Sequence, residues 1–226
     1  MTTEIVEVKS MQDLIRDMSD FHLDVLREVS NIGAGNAATA LSRLLGKPVD
    51  MRVNRVLPMP FNDVTEYVGG AENLVSTVFS RIEGDIAGNM LFVMGAADGG
   101  ALVRDVTGES GESEELSEMA QSVLQEVGNI LSGSYLTALS DFTGFDLRTS
   151  VPSLCVDMAG AILSFGLMET GKSSDFAILI DAEILPGGEK GNGIAQGTTG
   201  HIFLLPDPEA FSRIFFALGV HRHGSY

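Results

Sequence analysis

Two residue pairs in this chain have types and spacing that could do chemistry on a helix surface: Glu28 with Asn31, and Glu126 with Asn129. The second pair stands 98 residues after the first, and its surroundings travel with it. Asp24 returns as Ser122, Gly35 as Gly133, and Thr39-Ala40-Leu41-Ser42 as Thr137-Ala138-Leu139-Ser140. A carboxylate can pair with a cation. A carboxamide near pH 7 is neither nucleophile nor base, but its two donors and one acceptor can orient a water, as in some phosphoryl-transfer sites. An exposed Glu alone reads as a solvated charge. Asn is a poor residue for a helix interior, and the same pair on matched faces twice is not well explained by solvation.

The elements that must hold these pairs follow from periodicity. At about 100° per residue, Asp24, Glu28, Asn31, Gly35 and Ser42 share one face of a helix. Leu26, Val29, Gly33, Ala37, Ala40 and Leu44 take the opposite face. In the second copy Glu126, Asn129 and Gly133 repeat the polar stripe, backed by Leu124, Val127, Ile130 and Leu131. Gly33, Gly35, Gly128 and Gly133 fall inside these helices, where each costs about 1 kcal/mol relative to Ala. Small residues let another backbone approach: a second helix in the core, a partner laid over the stripe, or both.

The rest of the chain repeats the same order. A helix capped by Ser19 or Asp20 runs to Leu45 and stops at Gly46, followed by a strand from Val49 to Leu57 that Pro58 and Pro60 end. A short helix over residues 62–68, a hairpin of residues 75–82 and 88–94, and a helix over residues 96–106 complete the first half. The acidic, Gly/Ser-rich segment 109–115 reads as a linker. The second half offers a long helix over 113–142 stopping at Gly144, a strand near 146–150, and a short helix capped by Asp157 and running to Phe165. A hairpin of residues 176–185 and 201–205 follows, with a glycine-rich loop over 186–200. A last helix opens at Asp207-Pro208-Glu209 and ends at Gly219. The expectation is a single α/β domain over 1–226, built from repeats at about 20–108 and 113–219 with a lead-in at 1–18 and a tail at 220–226. It has internal twofold pseudosymmetry, a central six-stranded sheet and two long motif helices.

Composition narrows the class. The 226 residues are 44% hydrophobic and carry a formal net charge of −17, a field that repels nucleic acid and anionic lipid and suits a partner with basic groups. The single Cys155 excludes an internal disulfide, residues 1–7 do not read as a signal peptide, and no apolar run reaches ~18 residues, so a cytoplasmic location is expected. His22, His201, His221 and His223 are scattered and Cys155 has no companion at ligand spacing, so no metal of the chain's own is expected. Gly33-x-Gly35-x-x-Ala38 matches a dinucleotide fingerprint in form, but the fingerprint needs a strand before it and residues 22–31 read as helix.

At these residues the chain resembles the CheC-type chemotaxis phosphatase family, which includes CheC, CheX and the central part of FliY. The family motif is Asp or Ser, three residues, Glu, two residues, Asn, about 22 residues, Pro. Ser122, Glu126, Asn129 and Pro152 fit it completely; Asp24, Glu28 and Asn31 fit, and Asn54 stands where the proline would be. The resemblance extends from residue 20 to about 219, and two complete motifs place the chain nearer CheC than CheX, whose single motif sits in a dimer. No switch-like domain follows, which argues against FliY. The resemblance implies hydrolysis of the phospho-aspartate of the response regulator CheY. Asn31 or Asn129 would hold the attacking water, Glu28 or Glu126 would pair with the CheY lysine, and Mg2+ would be supplied by CheY. Asp24, Ser122, Gly35, Gly133 and Pro152 would support the motif, and the chain is expected to be a monomer. The resemblance also implies binding of the receptor deamidase CheD at the apolar stretch after Asp157, through Asp157, Met158, Ile162 and Phe165. The competing reading is an adaptor without turnover that regulates CheD or sequesters CheY.

Overall fold

The 98-residue offset governs the architecture as well as the motif. A computed structural model of the chain describes residues 18, 20–107, 116–170, 176–186 and 198–218. In chain order the elements are α1 (Asp20–Leu45), β1 (Val49–Pro60), α2 (Phe61–Tyr67), β2 (Leu74–Gly84), β3 (Gly88–Gly95), α3 (Ala96–Thr107), α4 (Glu118–Thr143), β4 (Leu147–Thr149), β5 (Ser153–Met158), α5 (Ala159–Thr170), β6 (Phe176–Pro186), β7 (Thr198–Pro206) and α6 (Pro208–Ala217). The motif helices α1 and α4 have 26 residues each and begin and end 98 positions apart. So do the glycines that stop them, Gly46 at φ 63° and Gly144 at φ 73°. That left-handed conformation is strained for residues with a Cβ, which is why both helices end on glycine.

One antiparallel sheet carries everything. Its order is β1-β6-β7-β3-β2, with β4 and β5 both paired to the free side of β2. Exchanging the halves maps β1 onto β4 plus β5, β2 onto β6 and β3 onto β7, so the order reads the same from either end. The pseudo-twofold axis passes between β3 and β7, which pair from Gly88 with Pro206 to Met94 with Gly200.

Both faces of the sheet are covered, which explains the nearly unbroken apolar runs of the central strands. Met90, Phe92 and Met94 of β3 and Ile178, Ile180, Ala182 and Ile184 of β6 point to the face under α1, α3, α4 and α6. Leu91, Val93 and Leu179 point to the other face, under α2 and α5. Full burial of a side chain of this size contributes roughly 1.5–3 kcal/mol. The motif helices dock through Leu26, Val29 and Leu41 of α1 and Leu124, Val127, Leu131 and Leu139 of α4.

Several elements depart from the sequence reading. The six expected strands become seven because the strand after α4 is in two pieces. β5 lies where a loop and a helix cap were expected, and helix α5 starts at Ala159 rather than at Asp157. The Asp157 side chain instead accepts from the Met158 amide at 2.7 Å. Strand β1 does not stop at Pro58 but continues through it to Pro60. It is the edge strand, where a missing N–H breaks no ladder. Helix α4 begins at Glu118, not near 113: the Ser117 hydroxyl accepts from the Ala120 amide at 3.1 Å and fixes the start. Helix α6 has Pro208 at its first turn as expected and ends at Ala217, and the Asp207 side chain makes no capping hydrogen bond. Strand β6 runs to Pro186 and β7 starts at Thr198, both inside the loop expected over 186–200. The lead-in apart from Met18, the linker at 109–115, residues 187–197 and the tail lie outside the described residues.

Candidate functional site

Each helix presents its stripe to solvent because its other side is committed to the sheet. Asp24, Glu28, Asn31 and Gly35 are exposed on α1; Ser122 and Glu126 are exposed on α4, and Asn129 and Gly133 are half-buried. Among the described residues, no side chain pairs with or hydrogen-bonds to Glu28, Asn31, Glu126 or Asn129. The supporting residues do have local partners. Asp24 pairs with Arg27 at 3.0 Å, and Ser122 donates to the Glu118 carbonyl at 2.9 Å. Thr39 donates to the Gly35 carbonyl and Thr137 to the Gly133 carbonyl, at 3.1 and 2.8 Å, so the twin glycines sit in twin local geometries. The buried side of α1 is Leu26, Val29, Ser30, Gly33, Ala34, Ala37, Ala38 and Leu41. Leu44, expected on that side, is exposed, and Ala40 and Ile130 are half-buried.

The four helical glycines divide by function. A Cβ on Gly33 would lie 3.1 Å from the Tyr135 Cα, so this glycine lets α1 and α4 touch. A Cβ on Gly128 would lie 2.5 Å from the Val78 Cγ1, so that one lets α4 press on β2. Around Gly35 and Gly133 nothing lies within 4 Å. Packing accounts for the first two and not for the stripe pair, where open space in front of the main chain is what glycine leaves.

The motif proline has a structural explanation. Pro152 separates β4 from β5, and Asn54, its counterpart in the first half, stands at the register shift between Val53 and Arg55 in β1. Both halves interrupt the ladder at one place, where no strand N–H is needed and Pro is tolerated. Asn54 in place of Pro therefore leaves the strand and the helix site intact.

A polar detail escaped the sequence reading. Tyr135 is 2% exposed at the junction of the motif helices, and its hydroxyl has no hydrogen-bond partner among the described residues. Burial pushes its pKa up to about 12, with the nearby Ser30 hydroxyl acting the other way. Ser30 itself donates to the Leu26 carbonyl at 2.7 Å. A cavity of about 10 Å³ lies beside them, lined also by Gly33, Ala37 and Leu131. A lone Tyr opposite the small residues Ser30, Gly33, Ala34 and Ala37 was the available sign.

The stretch after Asp157 is not one continuous face. Asp157 is exposed at the sheet edge, paired to Val75, and Met158 is 51% exposed beside Leu74. On a strand these neighbours point to opposite faces. Ile162 is 8% exposed and packs with Val64, its repeat counterpart, in the core beneath α2 and α5. The Phe165 side chain lies outside the description. The dinucleotide reading also falls, since Gly33 and Gly35 lie within an unbroken helix that starts at Asp20.

The geometry defines a duplicated α/β fold with twin Glu-x-x-Asn helices, and comparison with known proteins gives the same class. The CheC-like family model matches residues 21–53 and 119–156, which are α1 into β1 and α4 through most of β5. The chain is 39% identical to the CheY-P phosphatase CheC of Bacillus subtilis over 210 residues, spanning 92% of this chain and 98% of that protein. It is 30% identical to the flagellar motor switch phosphatase FliY of the same organism over 140 residues, 61% of this chain and 36% of that one. The crystal structure of Thermotoga maritima FliY superposes with a TM-score of 0.70 at 19% identity, covering 90% of this chain and 98% of that one. The chain belongs to the CheC-like family.

Proposed function

We propose that this protein hydrolyses the phospho-aspartate of the response regulator CheY. The observation that carries the reading is the pair of Glu-x-x-Asn sets on the solvent side of repeat-related helices, exposed except for the half-buried Asn129, with no partner for these side chains among the described residues. Their resemblance to the CheC motif, and 39% identity to a CheY-P phosphatase, support it. Asn31 or Asn129 enters the CheY site and orients a water in line with phosphorus, while Glu28 or Glu126 pairs with the CheY lysine. Positioning supplies much of the acceleration in such transfers, so a neutral amide held on a rigid helix suffices. The Mg2+ belongs to the CheY site. Among the described residues no helix is long and apolar enough to cross a membrane, and we place the protein in the cytoplasm as a monomer. CheD docks at the β5 edge, where exposed Asp157 and Met158 adjoin exposed Leu74; Ile162, being buried, is not part of that surface.

The test is phosphate release from phospho-CheY with Asn31→Ala, Asn129→Ala and the double variant. Each single change lowers the rate and the double change leaves little of it. The stripe is exposed, so stability stays within about 0.5 kcal/mol. A double variant as fast as the parent refutes the assignment, and CheY binding without any turnover by the parent leaves the adaptor reading in its place.

A further inference from the structure

Each polar stripe begins with an exposed apolar side chain. Phe21 stands seven residues before Glu28 and Met119 seven residues before Glu126, and the two are themselves 98 positions apart. Seven residues make two helical turns, so each lies on the face of its Glu, within about 20° of it and about 10 Å nearer the helix start. Both are turned to solvent to the same extent, 59% for Phe21 and 60% for Met119. Packing at the two helix entries is already supplied by Met18 and Leu116, which lie against the core three residues earlier and are again 98 positions apart.

A single exposed apolar residue is ordinary on a protein surface. The same position exposed in both copies, in line with Glu and Asn, is not explained by scatter. Ile32 borders the first stripe too, but its counterpart Ile130 packs against the core. Leu44 and Phe142 are also exposed in both copies. They stand 16 residues beyond each Glu, about 160° around the helix and so on its other side. Among the described residues, Phe21 and Met119 are therefore the large apolar pair that both stripes present.

The polar part of the stripe does not hold a partner by itself. An exposed ion pair adds little to association, and interfaces draw most of their affinity from a few large side chains, with Phe and Met enriched. A partner of ordinary size covers roughly 800 Å² of each surface, a disc of roughly 16 Å radius. Centred on Glu28 and Asn31 it reaches past Phe21, and centred on Glu126 and Asn129 it reaches past Met119. We infer that Phe21 and Met119 are the apolar anchors of the two sites, each covered by the same CheY molecule whose phospho-aspartate the neighbouring Asn serves. This rests on the phosphatase reading. Such an anchor binds ground state and transition state alike, so it acts on KM and not on kcat.

The test isolates one site at a time. Asn129→Ala leaves the first site to turn over phospho-CheY, and Asn31→Ala leaves the second. In the Asn129→Ala chain, Phe21→Ala raises KM about tenfold and changes kcat less than about twofold, and Phe21→Leu, which keeps an apolar side chain, restores most of the loss. In the Asn31→Ala chain, Phe21→Ala leaves KM unchanged. Met119→Ala does the reverse, raising KM in the Asn31→Ala chain alone. An unchanged KM when each anchor is removed beside the working site overturns the inference and leaves the phosphatase reading standing. Equal losses in both chains also overturn it, because a loosened fold and not a local contact is then the cause. A parent without turnover overturns both readings.

Discussion

The four helical glycines predict stability changes of opposite sign from one type of substitution. Replacing a mid-helix Gly by Ala gains up to about 1 kcal/mol of helix propensity when the new methyl meets nothing. Gly35→Ala and Gly133→Ala meet nothing within 4 Å. Each raises the melting temperature by about 2–4 °C for a chain of this size. Gly128→Ala gains the same propensity, but its methyl would sit 2.5 Å from Cγ1 and 2.6 Å from Cβ of Val78. Val78 is 3% exposed, and its Cβ moves only with the β2 backbone. Overpacking of this kind costs about 1–3 kcal/mol, which offsets the propensity gain and leaves a net loss of up to about 2 kcal/mol. Gly33→Ala falls between, at 3.1 Å from a main-chain atom of Tyr135. Urea unfolding of the four variants, with m-values compared to the parent, reads the differences directly. A Gly128→Ala protein as stable as Gly133→Ala would refute the division into packing and open glycines.

Three further outcomes are expected. Tyr135→Phe removes a buried hydroxyl without a partner, so stability at neutral pH rises by about 1–2 kcal/mol; with the Tyr135 pKa raised to about 12, the parent also loses stability as pH climbs from 10 towards 12, and the variant escapes that part of the loss in alkaline melts. His201 is held below its usual pKa by burial, against the opposing pull of Asp181 at 3.1 Å and of Asp98, so the folded state binds fewer protons than the unfolded one. Stability is therefore flat above the ordinary histidine value and falls as pH drops below it, and His201→Gln flattens that slope in acid melts. Asp157→Lys weakens CheD binding while phosphatase activity on CheY stays at the parent level; unaltered CheD affinity sinks the docking surface, and loss of both activities makes Asp157 a structural residue.

The helices were legible because a 26-residue amphipathic pattern ending in glycine leaves few alternatives, and because the repeat checked one copy against the other. The central strands were legible for a related reason: covered on both faces, β3 and β6 are apolar at nearly every position. The margins of the sheet were not. Pro58 reads as a strand terminator unless it is known to lie on an edge, and Ser153 to Met158 carries too little alternation to announce a strand that is exposed along most of its length. Ile162 reads as part of a docking face with Met158 and Phe165, but its repeat counterpart, the buried Val64, already pointed to the core. The stripe residues themselves were found from the sequence because they lie where packing has no use for them. Tyr135 was not, since its hydroxyl becomes unusual only when a second helix closes over it.

The strand order has a consequence for how the chain acquires its structure. Among the described residues, the only adjacent strands within one repeat are β2 and β3, or β6 and β7. The outer strand of each repeat pairs with the other repeat, β1 with β6 and β4 and β5 with β2. The two halves are therefore clasped like a strand-exchanged dimer joined into one polypeptide. As the ribosome releases the first half, β1 has no partner until β6 emerges more than a hundred residues later. Such long-range pairing makes for slow, all-or-none folding, and it means that a cut in the connecting segment leaves two fragments still woven together.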